Sequence, residues 1–243
     1  MAQSQRSYEA RIGRFINGNE ILQSKLDYTP NNPLIRKGGL TDFIKEVQEL
    51  NKSVDQTKIP LDDARTQRKP LVFFEKELSN TDCLQHRIDR AAAYIKGESD
   101  EKNSSYKSLR AIIRKMRPDY EKKAPELPRG AGKSPMEKSF ASAVGHGLTV
   151  IEIISGFPNY SPPDPKISVA EMTKIVIEIL ELNKKVAKLL DPYGTANRLR
   201  KEAYDDERGM ASRITSIKSY LASFPGGKKH TYYIEFTQAI QGT

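Results

Sequence analysis

The 243-residue chain has one cysteine, Cys83, and three histidines, His86, His146 and His230. One cysteine excludes an internal disulfide and any metal site made of several thiolates. The histidines stand far apart, and none has the spacing that puts two ligands on one helix face. A di-iron bundle would need Glu-x-x-His pairs, and there are none. No catalytic, metal or cofactor site is therefore expected. Cys83 reads as a small packed residue. Long apolar runs are also missing. The N-terminus, MAQSQRSYEARIGRF, lacks the apolar core of a secretory signal, and charges interrupt every apolar stretch before it could span a bilayer. A cytoplasmic protein with no membrane association is the expectation.

A basic tail is absent too. The formal charge is +9. Residues 1–120 hold 22 basic and 17 acidic residues, and residues 121–243 hold 18 and 14. The excess is spread evenly, unlike a tail that grips nucleic acid without sequence preference.

What the chain does have is self-similarity. Tyr28-Thr-Pro-Asn-Asn-Pro-Leu-Ile35 and Tyr160-Ser-Pro-Pro-Asp-Pro-Lys-Ile167 share the pattern Y-[TS]-P-x-x-P-x-I at an offset of 132. Extended without gaps, this offset aligns 14–69 with 146–201, and 17 of the 56 positions are identical. Among them are Glu49-Leu-Asn-Lys52 with Glu181-Leu-Asn-Lys184, Pro60 with Pro192, and Arg68-Lys69 with Arg200-Lys201. After a gap of six the offset becomes 126. Leu84, Ile88, Ala91 and Ile95 then fall on Met210, Ile214, Ile217 and Leu221, with Arg87 on Arg213 and Tyr94 on Tyr220. Repeats of this kind must be settled before any fold assignment.

The repeated segments are helical in pattern. Ser168-Val-Ala-Glu171 has the form of a capping box, and Ile175, Ile179, Leu182, Val186 and Leu189 follow on one face. Pro192 and Gly194 are expected to end that run. In the first copy Thr41 is the expected cap, with Phe43, Val47, Leu50 and Val54 as the face. A second helix should follow each run, with a kink or break at Pro70 and six extra residues, 73–78, in the first copy. Opening helices are expected near 7–26 and 136–156, a third pair from Leu84 and Met210, and a last helix near 104–117. The segment 231–236 fits a helix, although its aromatic and β-branched residues also suit a strand. The expected fold is all-α: a tandem internal duplication of a four- to five-helix antiparallel bundle. Repeat 1 would span 1–121, a Pro/Gly linker 122–135, and repeat 2 136–243.

Arg129-Gly-Ala-Gly-Lys-Ser134 in the linker resembles the end of a phosphate-binding loop. The full pattern needs glycine where Leu127 stands, and a buried strand where Pro125 and Pro128 stand. It reads as linker. Gly145-His146-Gly147 reads as a close helix contact. Glu49 and Glu181 are expected to pair with Arg87 and Arg213 across helices. The candidate anion or partner contacts are Arg65, Arg68, Lys69, Arg198, Arg200 and Lys201, placed at the start of the second helix of each copy. Aromatic residues are not interleaved with them, as single-strand binding would require.

The expected function is non-enzymatic binding or assembly, with a protein partner or self-association. The alternatives are a nucleic-acid-binding protein that uses the basic clusters, and an enzyme with its site between the two bundles.

Overall fold

The repeated tyrosine–proline turns close on themselves. In the computed structural model, which describes residues 3–73, 81–116 and 139–242, the Tyr28 hydroxyl donates to the Ile35 carbonyl at 2.7 Å. The Tyr160 hydroxyl donates to the Ile167 carbonyl at 2.9 Å. The first and last residues of the shared pattern are thus hydrogen-bonded partners. The prolines between them fix φ and cannot continue a helix. Each tyrosine ring also meets a second tyrosine edge to face, Tyr28 with Tyr220 and Tyr160 with Tyr94. Burial raises the pKa of both phenols, so both stay protonated donors.

Eight α-helices organise the described residues, and no strand occurs among them. They are α1 (Gln3–Ser24), α2 (Lys37–Val72), α3 (Leu84–Glu98), α4 (Ser104–Met116), α5 (Phe140–Ser155), α6 (Val169–Asp205), α7 (Met210–Leu221) and α8 (Thr231–Gln241). The all-α class holds, and 231–236 is the first part of α8. The linker 122–135, its Gly-Lys-Ser stretch, and residues 74–78 of the six-residue insertion lie outside the described residues.

Two expectations about helix boundaries need correction. Pro192 does not end a helix, and neither does Pro60. Each sits inside one continuous helix, α6 of 37 residues and α2 of 36. An interior proline costs roughly 3 kcal/mol. Burial on both sides outweighs it: Val54, Leu61 and Ala64 around Pro60, and Val186, Ala196 and Tyr204 around Pro192. A large apolar side chain taken fully out of water contributes roughly 1.5–3 kcal/mol. Thr41 is not the cap of α2 but lies one turn inside it, its hydroxyl donating to the Lys37 carbonyl at 3.0 Å. The helix starts earlier because Lys37 Nζ reaches back to the carbonyls of Gln23 and Lys25, at 3.0 and 2.7 Å, and ties the first turn to the end of α1. Ser168 does cap α6, accepting from the Glu171 amide at 3.3 Å.

Packing divides the chain into two compact units. Unit 1 comprises Met1–Pro60 and Leu190–Thr243, and unit 2 comprises Leu61–Leu189. This division cuts through α2 and α6. In unit 1, α1 lies along α8, and the core holds Phe15, Leu22, Tyr28, Leu40, Val47, Tyr204, Ile217 and Phe236. In unit 2, α4 packs on α3 and α5, around Leu84, Ile88, Ile95, Leu109, Ile113, Val150, Met172 and Ile179. Gly147 in α5 lets α6 approach closely, since a Cβ there would lie 2.4 Å from Val176 Cγ2. Gly145 has no such neighbour.

Candidate functional site

Each unit withdraws from water an arginine near the start of a short helix. Arg87, near the start of α3, is 7% exposed, and Arg213, near the start of α7, is 9% exposed. The sequence offset of 126 relates them, and so do their backbone acceptors. Arg87 Nε donates to the Asp82 carbonyl at 3.1 Å and Nη1 to the Lys166 carbonyl at 3.3 Å. Arg213 Nε donates to the Arg208 carbonyl at 3.0 Å and Nη1 to the Leu34 carbonyl. Asp82 corresponds to Arg208 and Lys166 to Leu34 under the two offsets. Both guanidiniums therefore tie the start of a helix to the end of a proline turn.

The expected carboxylate partners are not the observed ones. Glu49 and Glu181 lie on exposed faces and pair along their own helices, with Lys52 at 3.9 Å and Lys184 at 2.8 Å. The apolar face of each long helix is buried, which turns these glutamates outward. The carboxylate that serves Arg87 is Asp82, with Oδ1 3.1 Å from Nε and Oδ2 3.1 Å from Nη2. Lys166 and Arg90 reach the same carboxylate at 2.6 and 3.3 Å. Partial burial pushes the Asp82 pKa up, but hydrogen bonds from Lys166 and Arg87, together with their charges, hold it at about 2. Arg213 has no such partner among the described residues. Its guanidinium lies 4.0 Å from the centre of the Phe43 ring. Burial lowers its pKa, opposed by the charge of Glu46. Alignment at the offset of 126 carried the signal for this contrast, since it sets Asp82 against Arg208.

The six candidate basic residues separate into two kinds. Arg68 and Arg200, the identical pair, are structural contacts. Arg68 stacks 3.6 Å from the centre of the Phe140 ring, and its Nη1 donates to Asn183 Oδ1 at 2.9 Å. Arg200, 5% exposed, lies 4.4 Å from the Tyr8 ring centre and donates to Asn197 Oδ1 at 2.7 Å. Tyr8 and Phe140 are themselves 132 apart. Arg65, Lys69, Arg198 and Lys201 are exposed. Arg65 lies 3.5 Å from Asp62 and Arg198 2.7 Å from Glu202, pairs worth at most about 1 kcal/mol on a surface. All six lie along the later turns of α2 and α6, because each of these helices is continuous where a second helix was expected to start.

Two clefts occupy corresponding places. In unit 1 a cleft of about 530 Å³ is lined by residues that include Phe43, Glu46, Leu50, Leu199, Ala203 and Arg213. In unit 2 a cleft of about 760 Å³ is lined by Gln67, Leu71, Glu178, Glu181, Leu182 and Lys185. Glu46 and Glu178, Leu50 and Leu182, Leu199 and Gln67, and Ala203 and Leu71 are pairs at the offset of 132. Each cleft lies where the first half of one long helix meets the second half of the other. Volumes of this size suit a small molecule or a few side chains of a partner.

Among the described residues no group of three His, Cys, Asp or Glu is placed to hold a metal ion, and no helix is long and apolar enough to cross a membrane. Cys83 is buried just before α3, and burial pushes its thiol pKa up. A thiol held protonated in this way is a poor nucleophile. Compared with known proteins, the chain matches no family model, no curated protein and no solved structure.

Proposed function

We propose that the chain is a tandem internal duplication that works by binding or assembly, without catalysis, through its two corresponding clefts. The observation that carries this reading is the repetition of the cleft lining. Four pairs of lining residues stand at the sequence offset, two of them identical in both clefts. In this reading each compact unit joins the first part of one copy to the last part of the other, which is the arrangement a fused, element-exchanging dimer would have. The favoured partner is a protein, including a second copy of the chain.

The full chain, a Leu50→Glu/Leu182→Glu variant and an Arg65→Ala/Lys69→Ala/Arg198→Ala/Lys201→Ala variant test it. Sedimentation and affinity capture should show assemblies formed by the wild type, kept by the basic-cluster variant and lost by the cleft variant. Assemblies that persist in the cleft variant would sink the reading. Salt-sensitive retention on DNA or RNA, lost in the basic-cluster variant, would favour the nucleic-acid alternative instead. That alternative is weakened because Arg68 and Arg200, its only identical pair of arginines, are engaged by aromatic rings.

A further inference from the structure

Unit 2 contains a template for what unit 1 lacks. Arg87 makes a full set of bonds there: Nε and Nη2 to the Asp82 carboxylate, and Nη1 to the carbonyls of Lys166 and Glu171. Arg213 keeps two of the three backbone acceptors, the carbonyls of Arg208 and Leu34, and loses the carboxylate. Its Nη2 makes no hydrogen bond among the described residues, although the side chain is nine-tenths buried and lines the unit 1 cleft. Where Asp82 would stand, there is Arg208. Arg208 is exposed, its guanidinium has no partner among the described residues, and it lines the same cleft. Leu34, Phe43, Leu50 and Leu199 form an apolar trough beside the two cations.

We propose that the unit 1 cleft binds a peptide carboxylate of a protein partner. The carboxylate bridges Arg213 and Arg208 in the place that Asp82 fills in unit 2, and an adjoining apolar side chain lies in the trough. The occupant is assigned as a peptide because the carboxylate that fills the template is an aspartate side chain, and because the two cations lie beside an apolar trough that a neighbouring side chain of the same peptide can enter. The rest of the lining restricts the charge of the occupant. Glu202 is held by Arg198 at 2.7 Å. Glu46 and Asp206 are exposed and face the cleft. They repel additional negative charge, so the site takes one carboxylate and rejects polyanions such as nucleic acid. A carboxylate bridged by two guanidiniums accepts charge-assisted hydrogen bonds, which are stronger than neutral ones.

The inference rests on the binding reading of the cleft. Its test uses the full chain with a blocked Asp-Leu dipeptide, the matching Asn-Leu dipeptide and acetate, followed through the Arg213 side-chain Nε–H resonance. The Asp peptide should shift that resonance and bind about tenfold more tightly than the Asn peptide, since the two differ by charge-assisted bonds. Arg208→Asp supplies the missing carboxylate from within and should abolish peptide binding while raising the melting temperature. Arg208→Ala should weaken binding without raising it. Equal binding of the Asp and Asn peptides, an Arg213 resonance that ignores both, or unchanged binding in Arg208→Asp would overturn the site. Acetate binding as tightly as the Asp peptide would overturn the assignment to a peptide. None of these results depends on whether the Leu50→Glu/Leu182→Glu variant keeps its assemblies, so the two proposals fail separately.

Discussion

Beside the buried Arg87 of unit 2 stands Asp82, and beside the buried Arg213 of unit 1 stands Arg208. One carbonyl acceptor on Nε and one on Nη1 correspond in the two units, but the side-chain partner does not. Backbone acceptors are set by the turn that carries them, and they persist as long as the turn does. A side-chain partner changes with one substitution. Unit 1 replaces the ion pair with a ring contact to Phe43, a position where unit 2 has Ile175. Comparing the units therefore separates the bonds that come with the turn from those that depend on one side chain.

Removing the arginines should break this comparison most sharply. Arg87→Ala leaves the Lys166 and Glu171 carbonyls without their donor and removes a buried charge that is well paired. A loss of about 3–5 kcal/mol is expected. Arg213→Ala removes a guanidinium with no carboxylate partner and should cost about 1–3 kcal/mol. Urea unfolding of both variants measures the difference, and equal losses would show that Asp82 adds nothing to Arg87.

The next contrast lies one residue after the aspartate. Cys83 and Gly209 correspond, and each precedes the first residue of a helix, α3 and α7. Unit 2 accommodates a side chain there. In unit 1 a Cβ would meet the Ala203 carbonyl at 2.8 Å, the Glu202 carbonyl at 2.9 Å and the Asp206 amide at 3.0 Å. These are backbone atoms, which cannot rotate away. Gly209→Ala should cost about 2–3 kcal/mol, at the upper end for an overpacked site. A melting temperature equal to wild type would show that the end of α6 yields.

The all-helical class and the faces of α3, α6 and α7 were legible in the sequence because apolar spacing reports burial directly. The proline turn was legible as a repeat, although nothing in its spelling revealed the bond from tyrosine hydroxyl to isoleucine carbonyl. The continuity of α2 and α6 was not legible. A local rule sees the cost of Pro60 or Pro192, while the burial that offsets it comes from residues distant in sequence, such as Tyr204 beside Asn51 and Tyr8. The same limit hid the partners of Arg87. Glu49 and Glu181 are among the repeated acids, which draw the pairing in a sequence reading, whereas Asp82 does not repeat. At the candidate site, the repeated basic residues were visible but the stacking of Arg200 on Tyr8 and Arg68 on Phe140 was not, since each ring lies far away in sequence, in α1 and α5.

Acid should sharpen the contrast further. The Asp82 carboxyl titrates at about 2 in the folded chain against an ordinary 3.8. A depressed carboxyl pKa means that its stabilising contribution is complete above the ordinary value and is lost as pH falls through the folded one. The gap in stability between wild type and Asp82→Asn should therefore be constant above about pH 5 and close between about pH 4 and pH 2. Arg208→Gln, at the corresponding place in unit 1, should show no such closing. Acid unfolding followed by circular dichroism distinguishes the two. Because Asp82 is partly exposed, the effect should be smaller than that of removing Arg87.

The smallest expected effect is one on which the units should agree. Tyr28→Phe and Tyr160→Phe each delete one hydroxyl that donates to a carbonyl seven residues on. The ring and its edge-to-face tyrosine neighbour remain in place. A buried carbonyl that loses its donor costs about 1 kcal/mol. Tyr28 is the more deeply buried, 1% exposed, while Tyr160 is half-buried and water can replace part of its bond. Tyr28→Phe should therefore lose slightly more, and the double variant should lose the sum, because the two turns lie in different compact units and share no partner. Chemical denaturation of the two single variants and the double variant measures this. A double-variant loss well above the sum would mean that the turns are coupled, and the two units would then have to be treated as one cooperative body.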